Sequence, residues 1–376
     1  MQVDKYAPDE VFNKNLIISK NCAIPLLNKN SNINPHTLLI GSLSSGIKES
    51  FIEPNIRQCN SNYIIDDTTG YLYGKYKNYL KESGYDVIKI DKTNITSFNP
   101  FNYVFKKTYE TDILAIANSI LSNTYATLNE NEQFFKLNCK ALLTGALFYV
   151  YETMDKDKQN MLEVYNFLAS LGDGITSFPD KDSNRQYVKY LMTAVNLSKK
   201  TLFSVVINTL LIINSFLYPF DTKIRNIDYN HFAMFVCTDS ADSSLSPVFS
   251  AYISAFIKVL TTKQVLAPTH ILLSDGAFAI SNICDYLDYS SAKDGLIISA
   301  VIPSIDVLKQ KYPRAMLCSF GQLLVMNESD EKTKNAISAY YKERKVTYIP
   351  PKEDEVSVFL YFKRPFVDKK YTVSAV

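Results

Sequence analysis

Tryptophan is absent from the 376 residues, histidine occurs three times and glycine 11 times. The histidines, at positions 36, 231 and 270, have no ligand-type spacing, so they read as structural residues and not as a metal centre. The six cysteines, at 22, 59, 139, 237, 284 and 318, form no C-x-x-C pair, which excludes zinc-ribbon and thioredoxin-like chemistry. Most lie in apolar runs, such as Cys237 in FAMFVC and Cys318 in AMLCSF, and are expected to be buried, reduced thiols of a cytosolic protein. No clean apolar run of about 18 residues occurs. The most membrane-like stretch, 202–220, carries Asn208, Asn214 and two serines, and is expected to be a buried helix. The opening MQVDKYAPDEVFNK lacks the apolar core of a secretory signal.

Excess charge of one sign is also missing. There are 40 basic and 38 acidic residues, a net of +2, so charge alone does not mark a nucleic-acid binder. Small basic clusters at Lys199–Lys200, Lys342–Lys345 and Lys369–Lys370 read as solvated surface. What is present is ordinary globular material: 47% apolar and 21% charged residues, which excludes wholesale disorder. The length predicts about two domains. The 26 Tyr and 22 Phe, with many Asn, Lys and Ile, reflect AT-rich coding and carry no chemistry of their own.

The order of elements is informative. Residues 15–27 predict a strand pair, and Thr37 to Ile40 a short buried strand that runs into GSLSSG and a helix from Ile47. Strand, Gly/Ser loop, helix is the layout of a phosphate-binding loop. Strands at 62–67 and 85–90 flank a helix at 71–83, so the first hundred residues alternate β and α, as in a parallel sheet. From about 111 to 197 apolar residues recur at helical spacing, as at Ile113, Ile116 and Ile120 and again at Leu137, Ala141, Leu142 and Phe148. Strands are expected to resume at 232–238, 270–274, 296–302, 316–320, 323–326 and 356–363, with helices to residue 257 and over 331–343. The fold class is therefore α/β, a parallel sheet with an inserted all-helical domain. Its expected parts are residues 1–105, the insert 106–200 and 201–376.

An ordered series of motifs carries a resemblance. The loop helix contains Pro54-Asn55, and Tyr63 to Tyr73 (YIIDDTTGYLY) matches a "TDPKGEL" signature. Gly84-Tyr85-Asp86-Val87 stands for "GYKV", Ser97 to Pro100 for "S-x-x-NP", and Ile271 to Ile283 for "LLDEFANIG". In this order and spacing they resemble the TraG-like conjugative coupling proteins of type IV secretion, over about residues 15–345. The resemblance implies a P-loop NTPase (RecA-like) fold, ATP and Mg²⁺ as cofactors, and DNA, a relaxase or other secretion subunits as partners. It also implies oligomers. Family members usually carry N-terminal transmembrane helices, which this sequence lacks, so a cytoplasmic protein reaching the membrane only through partners is expected.

A working loop reads G-x-x-x-x-G-K-[ST]: glycines admit backbone N–H groups to the phosphates, Lys neutralises charge and the hydroxyl ligates Mg²⁺. Gly41 and Gly46 keep this spacing, Ser44 and Ser45 lie between them, but Ile47 takes the Lys position and Lys48 the hydroxyl position. A slip of one residue restores a lysine at 48 and then puts Glu49 where a hydroxyl is needed. Asp275 retains the metal-side carboxylate that the resemblance implies, whereas Gly276 stands for the water-activating Glu and Pro303 for a sensor Gln. The signature Asp-Pro-Lys-Gly has become Asp67-Thr68-Thr69-Gly70. The expected nucleotide-site residues are Gly41, Ser44, Ser45, Gly46, Lys48 and Asp275, with Asp275 as metal ligand and no catalytic residue retained. Three readings follow: a catalytically impaired scaffold or recruiting subunit, with an intact paralogue as partner; an active ATP-driven DNA translocase with atypical motifs; or an unrelated α/β binding protein.

Overall fold

The computed structural model describes residues 15–26, 34–95, 98–122, 130–171, 184–195, 197–217, 229–238, 245–262, 267–274, 283–287, 295–312, 315–326, 330–343, 345, 347–360 and 364–372. Strands β1 (Asn15–Ser19) and β2 (Cys22–Pro25) form an antiparallel hairpin. The remaining strands are β3 (Thr37–Ile40), β4 (Asn62–Asp66), β5 (Asp86–Ile90), β6 (Phe232–Val236), β7 (Thr269–Leu273), β8 (Leu296–Ile302), β9 (Gln322–Val325), β10 (Glu355–Leu360) and β11 (Phe366–Lys369). They make one sheet in the order β11-β10-β9-β3-β8-β7-β4-β6-β5. The seven strands from β9 to β5 are parallel, and β10 and β11 add antiparallel at one edge. This is an α/β fold with a parallel-rich sheet, as the alternation of elements predicts.

The strands β3, β4, β6, β7 and β8 are buried along their whole length. Their near-continuous apolar sequences follow from this, because a parallel sheet covered on both faces has no solvent side. Alternation sorts the side chains between the faces. Leu38, Ile40, Ile64 and Met234 join one core with the helical half of the chain, whereas Leu39, Tyr63, Ile65 and Phe235 join a second core. That second core takes in the helices that follow β3 and β4. The first of these is a π-helical turn, Lys48–Ile52, continued by α1 (Glu53–Arg57); the next is α2 (Tyr71–Glu82).

Between β5 and β6 the regular elements among the described residues are helical: α3 (Tyr109–Ser122), α4 (Glu130–Thr153), α5 (Met161–Ser170), α6 (Gln186–Val195) and α7 (Lys199–Ile213). Three more helices follow, α8 (Ser246–Thr262), α9 (Ile305–Lys311) and α10 (Glu331–Glu343). Buried Asp112 on α3 pairs with Lys258 and so ties this helical stretch to α8, the helix between β6 and β7.

Several details differ from the sequence expectations. Residues 316–320 do not form a strand: Leu317–Ser319 is a 3₁₀ turn, closed by the Met316 N–H donating to Ser319 Oγ at 3.2 Å. The serine hydroxyl offers the backbone a local partner that competes with a ladder. Cys318 is consequently exposed, while Cys22, Cys139 and Cys237 are buried. The stretch 202–220 is helical to Ile213, but one face is open: Phe203, Ile207 and Leu211, four residues apart, are exposed. Leu137 is likewise exposed, whereas Ile113, Ile120, Leu142 and Phe148 are core residues. Among the described residues no helix is long and apolar enough to cross a membrane. Strand β11 was not predicted; it is a half-buried edge without apolar alternation strong enough to read.

Candidate nucleotide-binding site

The loop Gly41–Gly46 leaves the carboxyl end of β3, the end where open parallel sheets hold their ligands. Its entrance is fixed by two neighbours. The Gly41 N–H donates to the Ile302 carbonyl at the end of β8 (2.9 Å), and the Met326 N–H donates to the Ile40 carbonyl (2.9 Å). A Cβ on Gly41 would lie 2.8 Å from Met326 Cβ, so glycine is required by close approach of the chain after β9. Residues Leu43–Ser45 make a single 3₁₀ turn that ends at Gly46 in the left-handed region (φ 83°). The Ser45 hydroxyl donates to the Ser42 carbonyl (2.6 Å), and the hydroxyls of Ser42 and Ser44 lie 2.7 Å apart at the surface. Gly41, Ser44, Ser45 and Gly46 thus share one compact turn at a strand end and a helix start, closed by the Ser45 N–H donating to the Ser42 carbonyl at 3.0 Å.

The side chains after the loop do not complete a nucleotide site. Ile47 is fully buried and packs in the second core with Leu39 and Phe51. Lys48 points elsewhere: its ammonium lies 4.7 Å from the centre of the Tyr71 ring, at the start of α2, and its charge acts on Asp67. Ser50, the first hydroxyl beyond the loop, donates to the Gly46 carbonyl at 2.6 Å. Residues Lys48–Ile52 form a π-helical turn, with Ile47 at its N-cap.

The matched signature residues that survive have structural partners. Asn55 accepts from the Ile17 N–H (2.9 Å) and donates to the carbonyls of Ile17 (3.0 Å) and Phe51 (2.8 Å), fastening the β1–β2 hairpin to the loop helix. Asp67 accepts from the N–H groups of Leu72 (3.1 Å) and Tyr73 (2.8 Å) and caps α2, which Gly70 enters at φ 72°. Burial raises the Asp67 carboxyl above the usual range, against the lowering effect of those N–H groups and of Lys48. Asn99 accepts from the Phe101 N–H (3.2 Å) and donates to the Gln159 carbonyl (2.8 Å) beyond α4.

At the second motif, Ser274 follows β7 and donates to Asp66 Oδ2 at 2.9 Å, across the ends of β7 and β4. Asp275 and Gly276 lie outside the described residues. Pro303 follows Ile302 directly, beside the loop entrance. Sequence reasoning missed one residue. Lys370, just after β11, donates its ammonium to the Ser45 carbonyl at 2.7 Å and to the Glu353 carbonyl. No local pattern marks a contact that spans 325 positions.

A family model described as type IV secretory system conjugative DNA transfer matches residues 2–193, just over half of the chain. No curated protein matches. Among solved structures, the chain is similar to the plasmid coupling protein TrwB in complex with ADP and Mg²⁺, at 12% identity and a TM-score of 0.63, covering 96% of this chain and 90% of that one. It is similar to TrwB with a non-hydrolysable ATP analogue at 13% identity and a TM-score of 0.60, covering 91% and 86%. The similarity to VirB4 of Thermoanaerobacter pseudethanolicus is 14% identity with a TM-score of 0.58, covering 96% and 97%. At these identities the structural likeness establishes the P-loop NTPase fold.

Proposed function

This chain belongs to the type IV secretory system conjugative DNA transfer family, and from that premise we propose that it is a coupling-protein homologue that holds a nucleotide phosphate loosely and does not turn ATP over. Its role is that of a scaffold or substrate-recruiting subunit for DNA or protein transfer. The observation that carries this is Ile47, fully buried in the core at the position where a working loop aims a lysine at the phosphates. An apolar side chain in the core neutralises no phosphate charge.

The fit to a nucleotide is divided. The loop Gly41–Gly46 stands between a strand end and a helix start, the place of a phosphate loop, and TrwB, of the same fold, was solved with ADP and Mg²⁺. Ser50, the first hydroxyl after the loop, donates to the Gly46 carbonyl. We assign Gly41, Ser44, Ser45 and Gly46 to phosphate contact and Asp275 to the metal side, with Lys48 directed to Tyr71. No hydrolytic step is assigned to any residue. The proposed organisation is a nucleotide-type domain of residues 1–105 and 201–376 with a recognition insert at 106–200. Its proposed partners are DNA, a relaxase and an intact paralogue that supplies turnover, at the cytoplasmic side of the membrane.

The surviving signature residues support the reading. Asn55, Asp67 and Asn99 each hold elements together, whereas Ile47, Gly276 and Pro303 stand where the resemblance implies the lysine, the water-activating Glu and the sensor Gln. The test is ATP turnover by the purified chain with Mg²⁺, with and without single-stranded DNA. The expected result is no turnover above background. DNA-stimulated hydrolysis would establish the translocase reading instead.

A further inference from the structure

The loop has no cation of its own. Ile47 is in the core and the Lys48 ammonium sits over the Tyr71 ring. Yet a lysine does reach the loop, from the other end of the chain. The Lys370 ammonium donates to the Ser45 carbonyl at 2.7 Å and is the nearest heavy atom, at 3.8 Å, to the position a Cβ would take on Gly46.

We propose that Lys370 is the loop's cation: the ammonium that a phosphate-bearing ligand meets at Gly41–Gly46, delivered by the C-terminal hairpin in place of residue 47. This rests on the reading that the loop holds a phosphate.

The hairpin is built to hold Lys370 in position. Strand β11 pairs antiparallel with β10, and the Lys370 N–H donates to the Asp354 carbonyl at 2.9 Å. On the other side, Asp368 accepts from Ser19 Oγ (2.7 Å), the Asn21 N–H (2.9 Å) and Asn21 Nδ2 (2.8 Å), and the Lys20 N–H donates to the Lys369 carbonyl (3.0 Å). The backbone at 368–370 is therefore fastened to the β1–β2 hairpin, which Asn55 fastens to the loop helix. The neighbouring Lys369 is committed to Asp354 and Glu355.

Lys370 is different. Its acceptors among the described residues are two backbone carbonyls, those of Ser45 and Glu353, so its full charge is matched only by neutral dipoles. A phosphate oxygen is the stronger acceptor, because hydrogen bonds between two charged groups are about twice as strong as those to neutral partners. Exchange of a carbonyl for a phosphate is thus downhill for this ammonium.

The test is calorimetric titration of ADP, with and without Mg²⁺, into the full chain and three variants: Lys370→Met, Lys370→Arg and Asp368→Asn. Wild type is expected to bind, and Lys370→Met to bind about 10- to 100-fold more weakly, the loss of one charge-assisted bond. Lys370→Arg should stay within about threefold of wild type, since the charge persists. Binding by Lys370→Met should also depend less on ionic strength, a change that a purely structural role would not produce. Asp368→Asn weakens the hairpin's hold on Ser19 and Asn21 while leaving the ammonium in place, and should affect binding less than Lys370→Met. Equal affinity of wild type and Lys370→Met overturns the assignment alone, and so does an Asp368→Asn loss as large as that of Lys370→Met. Absence of ADP binding by wild type overturns the phosphate reading itself, and the assignment of Lys370 falls with it.

Discussion

The Ser274 hydroxyl donates to Asp66 Oδ2 at 2.9 Å and so joins the carboxyl ends of β7 and β4. Both residues are buried. Replacing Ser274 with alanine removes a donor from a buried carboxylate, and a hydrogen bond to a charged group contributes about 1.5–3 kcal/mol. Ser274→Ala is expected to lower the unfolding free energy by that amount in urea titrations. An unchanged denaturation midpoint would mean that Asp66 is neutral or has another donor of equal strength.

The two loop glycines should differ in their tolerance of alanine. At Gly46 the penalty is conformational, about 1–2 kcal/mol for a left-handed φ, since the nearest atom to a Cβ is the flexible tip of Lys370. At Gly41 the Cβ would meet Met326 Cβ at 2.8 Å, a contact with a side-chain root that cannot swing away. Gly41→Ala should therefore be the more destabilising, and Met326→Gly should recover part of the loss in the double variant, as a double-mutant cycle would record. Additive effects of the two substitutions would remove the packing explanation.

The sheet was legible because its strands are buried on both faces and announce themselves as apolar runs; Thr37–Ile40, Asn62–Asp66 and Leu296–Ile302 stand within a residue of where the sequence places them. The loop was legible as Gly41 and Gly46 at fixed spacing, because glycine positions record backbone demands that few other residues meet. What one chain of letters does not record is direction. Ile47 and Lys48 are adjacent in sequence at a helix start, where successive side chains point in different directions, and only the structure shows that one enters the core and the other reaches Tyr71. Lys370 was read as one of a solvated pair, and distinguishing it from Lys369 requires the pairing of β11 with β10 and its contacts with the first hairpin. Residues 316–320 misled for a local reason, since the pattern of apolar residues fits a strand until Ser319 is allowed to close a turn.

His270 makes stability depend on pH. It is fully buried on β7, its Nε2 lies 2.8 Å from Ser299 Oγ, and burial, with a smaller effect from the charge of His36, lowers its value to about 3. The unfolded chain, with an ordinary value of about 6.5, binds the proton more readily, so this contribution to stability is complete above about pH 6.5 and is lost as pH falls towards 3. The slope is about 1.4 kcal/mol per pH unit, or about 2 kcal/mol between pH 6.5 and 5. His270→Gln should be less stable at neutral pH and should lose stability less steeply over that interval. Parallel stability curves for wild type and variant would show that His270 takes up its proton in the folded state.

The most discriminating substitution is at Ile47. Lysine there restores the family's motif letter but places an ammonium where the present side chain is fully buried among Leu39, Phe51 and other core residues. Burying an unpaired charge is destabilising by several kcal/mol, and the alternative, turning residue 47 out towards the loop, requires the chain at the start of the Lys48–Ile52 turn to move. Ile47→Lys is expected to destabilise by at least about 3 kcal/mol, while Ile47→Met, which conserves volume and polarity, should stay within about 1.5 kcal/mol of wild type. Adding Lys48→Thr and Gly276→Glu restores two further letters, leaves Pro303 and Thr68-Thr69 as they are, and does not change the direction of residue 47. The triple variant is therefore expected to remain without ATP turnover, because catalysis of phosphoryl transfer is mostly positioning and charge placement. If ADP affinity does rise in the triple variant, the gain should come before any turnover, since the loop backbone is already formed. Thermal denaturation and a coupled phosphate-release assay with DNA and Mg²⁺ measure both quantities on the same samples. A triple variant as stable as wild type that hydrolyses ATP would show that residue 47 turns outward at little cost, and the buried Ile47 would no longer account for an inactive loop.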